Sequence, residues 1–212
     1  MRTADQYGSA ADWVELVRRA RRLMRAGRGV LGIAGSPGSG KSTVAERLAT
    51  AIGSEAVVVP MDGFHLTDEE LVGLDLRNRK GAPETFDVAG YVALLRRLRD
   101  EADSTVYAPG FDRSRELAVA AAIAVRPEHR LVITEGNYLL HSANGWSEVR
   151  PLLDEVWFVA SDEKTRLLRL IRRHVAHGKD EEAATTWATT TDQANADLIA
   201  PTAALADVVV AN

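Results

Sequence analysis

The chain has 212 residues, a length that suits one domain, and its hydrophobic (46%) and charged (26%) fractions are those of an ordinary globular protein. The absence of cysteine excludes disulfides, thiol nucleophiles and metal sites with cysteine ligands. With 26 basic against 30 acidic residues, the net charge of -4 gives no reason to expect a nucleic-acid partner.

Signals for membranes and export are missing from the sequence. The longest uninterrupted apolar run, Leu117–Val125, is too short to cross a bilayer. The first residues include Asp5 and Asp12 and lack the apolar stretch of a signal peptide. We therefore expect a cytoplasmic protein without a membrane partner, with residues 1–212 in a single domain. The sequence leaves open whether it forms a homo-oligomer.

Residues 1–28 are predicted to contain an N-terminal helix. Apolar residues recur at helical spacing between Asp12 and Arg25, and Gly27 follows as a stop signal. Arginines occupy the opposite face of this helix. We interpret that face as solvated surface, because the chain is acidic overall and no aromatic residues alternate with the arginines.

Beyond Gly29, short apolar runs alternate with helical patterns. This alternation predicts an α/β domain with a mainly parallel sheet flanked by helices, because parallel strands that are covered on both faces are continuously apolar. The predicted strands are residues 30–34, 56–61, 105–107, 131–134, 155–159 and 207–210, and the predicted helices between them are residues 42–52, 88–101 and 163–174.

A phosphate-binding loop follows the first of these strands. The segment reads Gly35-Ser36-Pro37-Gly38-Ser39-Gly40-Lys41-Ser42-Thr43 and matches the P-loop pattern in full. Its glycines allow backbone N–H groups to approach phosphate oxygens, and the following helix directs its positive end at them. We expect Lys41 to contact the β- and γ-phosphates and Ser42 to bind Mg²⁺. The sequence therefore predicts a nucleoside triphosphate site.

Two acidic residues follow predicted strands and are candidates for catalysis and metal binding. Asp62 comes after residues 56–61, and Glu135 comes after residues 131–134. The working crevice of an open α/β sheet lies beyond the carboxyl ends of its strands, so both acids are expected near the P-loop. Asp62 suits a base for an attacking hydroxyl, and Glu135 suits a Mg²⁺ ligand. A turn-forming Asp-Gly pair and a plain strand-end acid are the structural alternatives.

These motifs resemble those of a known superfamily. The P-loop, Met61-Asp62-Gly63-Phe64-His65 and Glu135-Gly136 are similar to the phosphoribulokinase, uridine kinase and bacterial pantothenate kinase superfamily. The segment Arg79-Lys80-Gly81-Ala82-Pro83-Glu84-Thr85-Phe86-Asp87 resembles the pantothenate kinase branch, as does a C-terminal stretch around Asn195. The resemblance covers most of residues 32–210. It implies a P-loop NTPase-type fold with a small helical lid.

The resemblance also implies roles for residues around the phosphoryl acceptor. Asp62 would be the catalytic base, acting beside Lys41, and residues 107–113 look like the loop that covers the acceptor in this superfamily. The implied acceptor-binding residues are Asp62, His65, Arg79, Lys80, Glu84, Phe111, Arg113 and Asn137.

Lys80 also stands out because lysine is rare in this chain. Only four residues are lysine, namely Lys41, Lys80, Lys164 and Lys179, although 26 residues are basic. Lys80 lies between Gly and Pro residues, which suits a flexible loop that brings charge to an anion. A solvated loop lysine is the alternative.

Residues 163–182 form a candidate lid that resembles the lid helix of uridine kinases. Arg166, Arg169 and Arg173 share one helix face and could converge on the triphosphate, where arginines stabilise the transferring phosphoryl group. A simple amphipathic helix is the alternative.

The candidate lid departs from the superfamily pattern at two positions. Its usual Arg-Asp pair reads Arg173-His174 here, and its Arg-Gly pair reads His177-Gly178. The roles of the lid arginines therefore stay open. His174 and His177 could form a pair of metal ligands, but no third ligand stands out in the sequence. We therefore expect the two histidines to lie at the surface.

The leading hypothesis is an ATP-dependent kinase that uses Mg²⁺ and phosphorylates a hydroxyl of a small metabolite. A nucleoside, a pantothenate-like compound and a sugar are all open as acceptors. The alternatives are a GTPase-type switch or nucleotide-binding metallochaperone, and a nucleotide-binding protein without catalysis. The chain lacks an Asn-Lys-x-Asp guanine motif, and the joint presence of Lys41, Ser42, Asp62 and Glu135 argues for catalysis.

Overall fold

The structure is a computed structural model that describes residues 5–7 and 10–212, with side chains from residue 12 onward. The strands are β1 (Asp5–Tyr7), β2 (Gly29–Ala34), β3 (Ala56–Pro60), β4 (Val106–Asp112), β5 (Leu117–Val125), β6 (Leu131–Gly136), β7 (Glu155–Ala160) and β8 (Val208–Ala211). The helices are α1 (Ala10–Leu23), α2 (Lys41–Ile52), α3 (Asp68–Gly73), α4 (Val88–Asp100), α5 (Glu163–Ala176), α6 (Glu181–Thr189) and α7 (Thr191–Ile199).

Six of the strands form one parallel sheet in the order β1-β8-β7-β2-β6-β3. All of them run in the same direction, so their carboxyl ends lie at one edge. Parallel pairing brings Ala34 opposite Gly136 and Pro60 opposite Glu135. The segments that follow β2, β3 and β6 therefore leave the sheet side by side, as the sequence predicted for the P-loop and the two acids.

Helices cover both faces of this sheet, because its central strands bury alternate side chains on opposite sides. Leu31 and Ile33 of β2 pack with the apolar sides of α1 and α2, whereas Val30 packs with α4 and the segment at residues 138–153. Burying a large aliphatic side chain contributes about 1.5 to 3 kcal/mol, and these strand residues are fully buried. The predicted α/β architecture is confirmed.

The prediction for residues 105–107 was only partly right. These residues border and begin β4, which pairs antiparallel with β5 in a separate hairpin instead of joining the parallel sheet. Asp112 forms the turn by accepting hydrogen bonds from the backbone N–H groups of Ser114 and Arg115. The alanine-rich β5 lacks the alternation of polar and apolar residues that marks a half-exposed strand, so its sequence did not reveal the hairpin.

The hairpin is irregular near its middle. Between Ala108 and Gly110 the register shifts, and Ala121 on the opposite strand has a positive φ of 54°. This bulge bends the hairpin where Pro109 reaches the turn after β3. A Cβ on Gly63 would lie 2.6 Å from the carbonyl oxygen of Pro109, so the hairpin base rests directly on that turn.

Helices α3, α6 and α7 were not predicted. Asp180 caps α6 by accepting a hydrogen bond from the backbone N–H of Ala183, a helix-start signal that the threonine-rich stretch after it obscured. Within the residues that the structure describes, no helix is long and apolar enough to span a membrane.

Arg28 joins three segments at the amino edge of the sheet. Its guanidinium donates to five backbone carbonyls at distances of 2.9 to 3.5 Å, namely those of Leu98, Glu101, Ala102, Arg126 and His129. Two of these carbonyls lie at the end of α4, where backbone acceptors lack partners within the helix. One side chain thus ties the start of β2 to α4 and to the turn before β6.

We expect Arg28→Met to lower the free energy of unfolding by about 2 to 3 kcal/mol, because charge-assisted hydrogen bonds to several carbonyls are lost. Urea denaturation followed by circular dichroism measures this change. Arg96→Met is the matched control, since Arg96 pairs with Glu148 on an exposed surface and its loss should leave the urea midpoint unchanged. Equal midpoints for both variants would contradict the role assigned to Arg28.

Candidate active site

The P-loop lies between β2 and α2, and α2 begins at Lys41, one residue before the predicted start. Gly38 and Gly40 have positive φ values of 78° and 96°, which residues with a Cβ rarely adopt. A Cβ on Gly38 would also lie 2.8 Å from the backbone oxygen of Arg166 on α5. The loop is therefore a tight backbone cradle that packs against the candidate lid.

Lys41 supplies a buried positive charge inside this cradle. Its Nζ donates to the carbonyl oxygen of Ser36 at 3.1 Å and to Oδ1 of Asn137 at 2.7 Å. Burial lowers the pKa of Lys41 to about 8, although the carboxylates of Glu135 and Asp62 oppose this shift. Ser39 Oγ is buried without a hydrogen-bond partner in the described part of the chain. A buried ammonium and an unsatisfied hydroxyl suit phosphate oxygens.

Ser42 and Glu135 lie together at the point where a metal ion would meet those phosphates. Ser42 Oγ donates to Glu135 Oε1 at 3.0 Å, and Glu135 is buried at the end of β6. Burial and repulsion from Asp62 raise the pKa of Glu135, and Lys41 and Ser42 only partly offset this. Oxygen donors of this kind suit Mg²⁺, which would keep the carboxylate ionised.

No group of three or more His, Asp or Glu side chains in the described residues could hold a metal ion alone. At phosphate sites Mg²⁺ takes one or two protein ligands and the rest from phosphates and water.

Asp62 lies on a single 3₁₀ turn, Met61–Phe64, directly after β3. Its Oδ2 accepts a hydrogen bond from Arg113 Nη2 at 2.8 Å. Burial raises the pKa of Asp62, but the charge of His65 in its protonated form, together with the charges of Arg113 and Lys41, outweighs burial and holds the pKa below its usual value. Asp62 is therefore an ionised, oriented carboxylate that can receive a proton.

A cavity of about 220 Å³ connects the cradle with the hairpin, the segment after β3 and the lid. Of the predicted residues, the cavity lining includes Pro37, Lys41, Ser42, Asp62, His65, Lys80, Phe111, Arg113, Glu135, Asn137 and Arg173. The structure thus brings together the proposed phosphate, metal and acceptor residues in one space.

An aromatic cluster forms the wall beside Asp62. The His65 ring lies 4.1 Å from the Phe86 ring and 4.8 Å from the Phe111 ring, centroid to centroid. His65 Nδ1 is 2.8 Å from the backbone oxygen of Asp62, and burial lowers the pKa of His65. A neutral His65 would donate from Nδ1 to that oxygen and keep Nε2 as an acceptor.

Two predicted acceptor residues lie outside this cavity. Arg79 Nη2 is 2.7 Å from Glu84 Oε1, and the two side chains pair with each other within their loop. Neither residue lines the cavity, so the structure gives both a role in the loop and does not bring them to Asp62.

The loop around Lys80, predicted to be flexible, is held in place by ion pairs and hydrogen bonds in the structure. The Lys80 side chain is 8% exposed, and its Nζ contacts Asp68 and Glu116. The loop around it is fixed, because the hydroxyl of Tyr138 donates to the carbonyl oxygen of Gly81 at 2.5 Å. In the same loop, the carbonyl oxygen of Pro83 accepts from Trp146 Nε1 at 3.2 Å, and that of Gly81 also accepts from Asn195 Nδ2 at 3.4 Å.

The three lid arginines do not converge. Arg166 is buried and donates to the carbonyl oxygen of Pro37, and Arg169 donates to that of Ser39 at 3.3 Å. Only Arg173 lines the cavity. The arginine spacing correctly indicated a shared helix face, but α5 lies so close to the P-loop that its first two arginines bind loop carbonyls.

The expectation of a surface His174 was also wrong. His174 Nε2 lies 2.7 Å from Asp192 Oδ2, and both side chains are largely buried beside the cavity. His177 is exposed and contacts the carbonyl oxygen of Arg173. Sequence reasoning missed Asp192 and Trp187 as cavity residues because they lie on the unpredicted helices α7 and α6.

Comparison with known proteins decides the family. A model of the phosphoribulokinase / uridine kinase family matches residues 30–212. The chain belongs to this family. As a member it is an ATP-dependent small-molecule kinase, and the family resemblance read from its motifs is confirmed.

Several family relatives are similar over most of their length. A Schizosaccharomyces pombe protein described as a candidate uridine kinase is 39% identical over 182 residues, covering 80% of this chain and 77% of the relative. The uridine kinase of Halobacterium salinarum is 28% identical over 184 residues, covering 85% and 78%. The solved structure of a candidate fructose transport system kinase from Silicibacter sp. TM1040 is 38% identical, with a TM-score of 0.82, covering 92% of this chain and 98% of that one. The similarity to the pantothenate kinase branch stays a prediction.

Gly38→Ala should weaken ATP binding at least about tenfold, because the new Cβ would meet the backbone of α5 at 2.8 Å and strain a positive φ. Isothermal calorimetry measures the ATP affinity. Gly53→Ala is the matched control, since Gly53 has a φ of 93° and open space around it. The control should lose about 1 to 2 kcal/mol of stability and keep its ATP affinity. Equal ATP affinities for the two variants would contradict the cradle as described.

Proposed function

We propose that this kinase transfers the γ-phosphoryl group of ATP to a hydroxyl of a small metabolite, with Asp62 as the base. The observation that carries the proposal is that the Asp62 carboxylate and the Lys41 ammonium line one cavity at the carboxyl edge of the sheet. A phosphate-binding cation and a proton acceptor in the same small space are what phosphoryl transfer to a hydroxyl requires.

ATP would bind with its phosphates in the cradle, Gly35-Ser36-Pro37-Gly38-Ser39-Gly40-Lys41-Ser42-Thr43. Lys41 is held toward this position by Asn137, which makes Asn137 a positioning residue for the lysine. Arg173 would approach the γ-phosphate from the lid side of the cavity, whereas Arg169 holds the P-loop from outside. Positive groups on both sides would stabilise charge on the transferring phosphoryl group.

Ser42 and Glu135 would hold Mg²⁺ against the β- and γ-phosphates. The ion supplies charge neutralisation on the phosphate oxygens. Ser42 places its hydroxyl at the first turn of α2, and Glu135 lies beside it because β6 pairs with β2.

Asp62 would accept the proton of the acceptor hydroxyl. The hydroxyl oxygen forms a bond to the γ-phosphorus as the bond from that phosphorus to the β–γ bridging oxygen breaks, and ADP leaves with the bridging oxygen. Arg113 keeps Asp62 ionised and fixes its direction by a 2.8 Å hydrogen bond. His65 and Phe111 form the wall against which the acceptor would lie.

The names of the relatives support a hydroxyl acceptor of small size. They describe uridine kinases and a kinase of a fructose transport system, and both uridine and fructose carry primary hydroxyl groups. A nucleoside, a sugar and a pantothenate-like compound are the acceptor candidates that the proposal carries forward.

Asp62→Asn should lower acceptor-dependent turnover by about 10² to 10⁴-fold, because the amide keeps the size of the side chain and removes the proton acceptor. ATP affinity should change by less than about tenfold, since the cradle is intact. Coupled ADP release with the best acceptor of a broad panel measures turnover, and calorimetry measures ATP affinity.

Asp75→Asn is the control for this variant, because Asp75 is exposed on the loop after α3 and does not line the cavity. Its turnover should match that of the wild type. If no acceptor stimulates ADP release by the wild type, a nucleotide switch explains the site better than a kinase does. Unchanged turnover in Asp62→Asn would exclude Asp62 as the base.

Glu135→Gln should raise the Mg²⁺ concentration required for half-maximal activity at least about tenfold, because the amide binds a hard cation less strongly than a carboxylate. Titration of activity with Mg²⁺ at fixed ATP measures this shift. Glu128→Gln, on the exposed turn before β6, is the control and should titrate like the wild type. An unchanged Mg²⁺ titration for Glu135→Gln would show that Glu135 has only a structural role.

A further inference from the structure

We call the side of the cavity beside Asp62 the acceptor half. It is formed by Asp62, His65, Lys80, Phe111 and Arg113 with their paired residues. The charged side chains of this half pair with one another. Asp68 accepts from Lys80 Nζ at 2.7 Å through Oδ1, and its Oδ2 lies 2.8 Å from Arg77 Nη2.

Lys80 already has partners within the chain. Its Nζ donates to Asp68 Oδ1 at 2.7 Å and to the backbone oxygen of Glu116 at 2.9 Å, and Glu116 Oε2 lies 3.5 Å away as an ion-pair partner. Asp68 lies on α3 and Glu116 lies at the tip of the hairpin. Lys80 therefore connects these two elements over the cavity, and its charge is already compensated.

The remaining cation of the acceptor half is also paired. Arg113 is 2.8 Å from Asp62, so the cations Arg77, Lys80 and Arg113 face the three carboxylates Asp62, Asp68 and Glu116. Lys179 lies outside this half, exposed at the cavity mouth and 4.8 Å from the centre of the Trp187 ring.

We propose that the acceptor is an uncharged polyhydroxy compound, and that Lys80 is a positioning residue and not an anion ligand. This inference rests on the proposed function and narrows it. Hydroxyl groups can donate to Asp62 and Glu116 and accept from Arg113 without separating any pair. The ring faces of Phe111 and His65 offer an apolar platform for the carbon skeleton.

A carboxylate or phosphate group on the acceptor would weaken its binding. It would have to separate an existing ion pair or lie close to Asp62 and Glu116, and like charges placed together in an interface weaken binding. The ion pairs of the acceptor half therefore select acceptors by charge as well as by shape.

Matched acceptors that differ in charge test the inference on the wild-type protein. The pairs are ribose and ribonate, glucose and gluconate, glycerol and glycerate, and uridine and orotidine, in each of which the charged member keeps a primary hydroxyl, and each is assayed by ADP release. We expect the preferred acceptor to be an uncharged member, with kcat/KM at least about tenfold above that of its charged partner. A preferred charged member overturns this inference and leaves the proposed kinase function in place. Failure of every acceptor overturns the proposed function and the inference with it.

Variants of the Lys80 contacts separate positioning from direct anion binding. Lys80→Met should lower kcat/KM for the uncharged member of a pair about tenfold, because the hairpin tip loses its attachment, and more for the charged member, because Asp68 and Glu116 lose their compensating charge. Asp68→Asn combined with Glu116→Gln leaves Lys80 uncompensated and should raise the ratio of charged to uncharged acceptor use about tenfold. An unchanged kcat/KM for the uncharged acceptor in Lys80→Met would overturn the positioning role.

Two further measurements test whether Lys80 attaches the hairpin. Hydrogen–deuterium exchange should be faster across residues 106–125 in Lys80→Met than in the wild type, and this readout requires no activity. Lys80→Arg should recover part of the lost kcat/KM, because a guanidinium also reaches two carboxylates. The control is Lys164→Met on the exposed surface of α5, which should match the wild type in both measurements. Unchanged exchange across the hairpin in Lys80→Met would contradict the attachment.

Discussion

The parallel pairing of β6 between β2 and β3 is the constraint on which the site depends. It holds Gly136 beside Ala34 and Glu135 beside Pro60, so that three chain segments leave the sheet at one point. The P-loop, Asp62 and the pair Glu135–Asn137 then need only short loops to meet. A one-residue slip in that register would turn Glu135 from the P-loop side to the opposite face of the sheet.

Electrostatic compensation follows from this crowding of charged groups. Lys41 and Glu135 are buried and Asp62 is half-buried in one space, and loss of solvent alone would disfavour the charged form of each. The charges of protonated His65, Arg113 and Lys41 hold the pKa of Asp62 below its usual value, whereas burial and repulsion from Asp62 raise the pKa of Glu135, so the two neighbouring carboxylates have different electrostatic environments. The ligand end of the site is thus prepared for phosphates and a cation, whereas the acceptor end is already compensated.

The sequence predicted the sheet, the P-loop and the two strand-end acids because each depends on local chemistry: apolar runs, glycine spacing and a residue that follows a strand. It could not predict Lys80 or Arg166, whose partners are supplied by elements far along the chain. Lys80 reaches Glu116 on the hairpin, and Arg166 reaches Pro37 in the P-loop. Both looked like free cations in the sequence because ion pairing is a tertiary property.

The bulge in the hairpin has a consequence for how this protein behaves in a crowded solution. In the described structure β5 pairs with β4 alone, so a nine-residue apolar strand presents its other edge outward. A flat edge of that composition would recruit strands from neighbouring molecules and seed aggregation. The left-handed backbone at Ala121 interrupts the row of N–H and C=O groups halfway along, so no long template is offered. The same irregularity near Gly63 therefore shortens the edge that β5 offers to another strand.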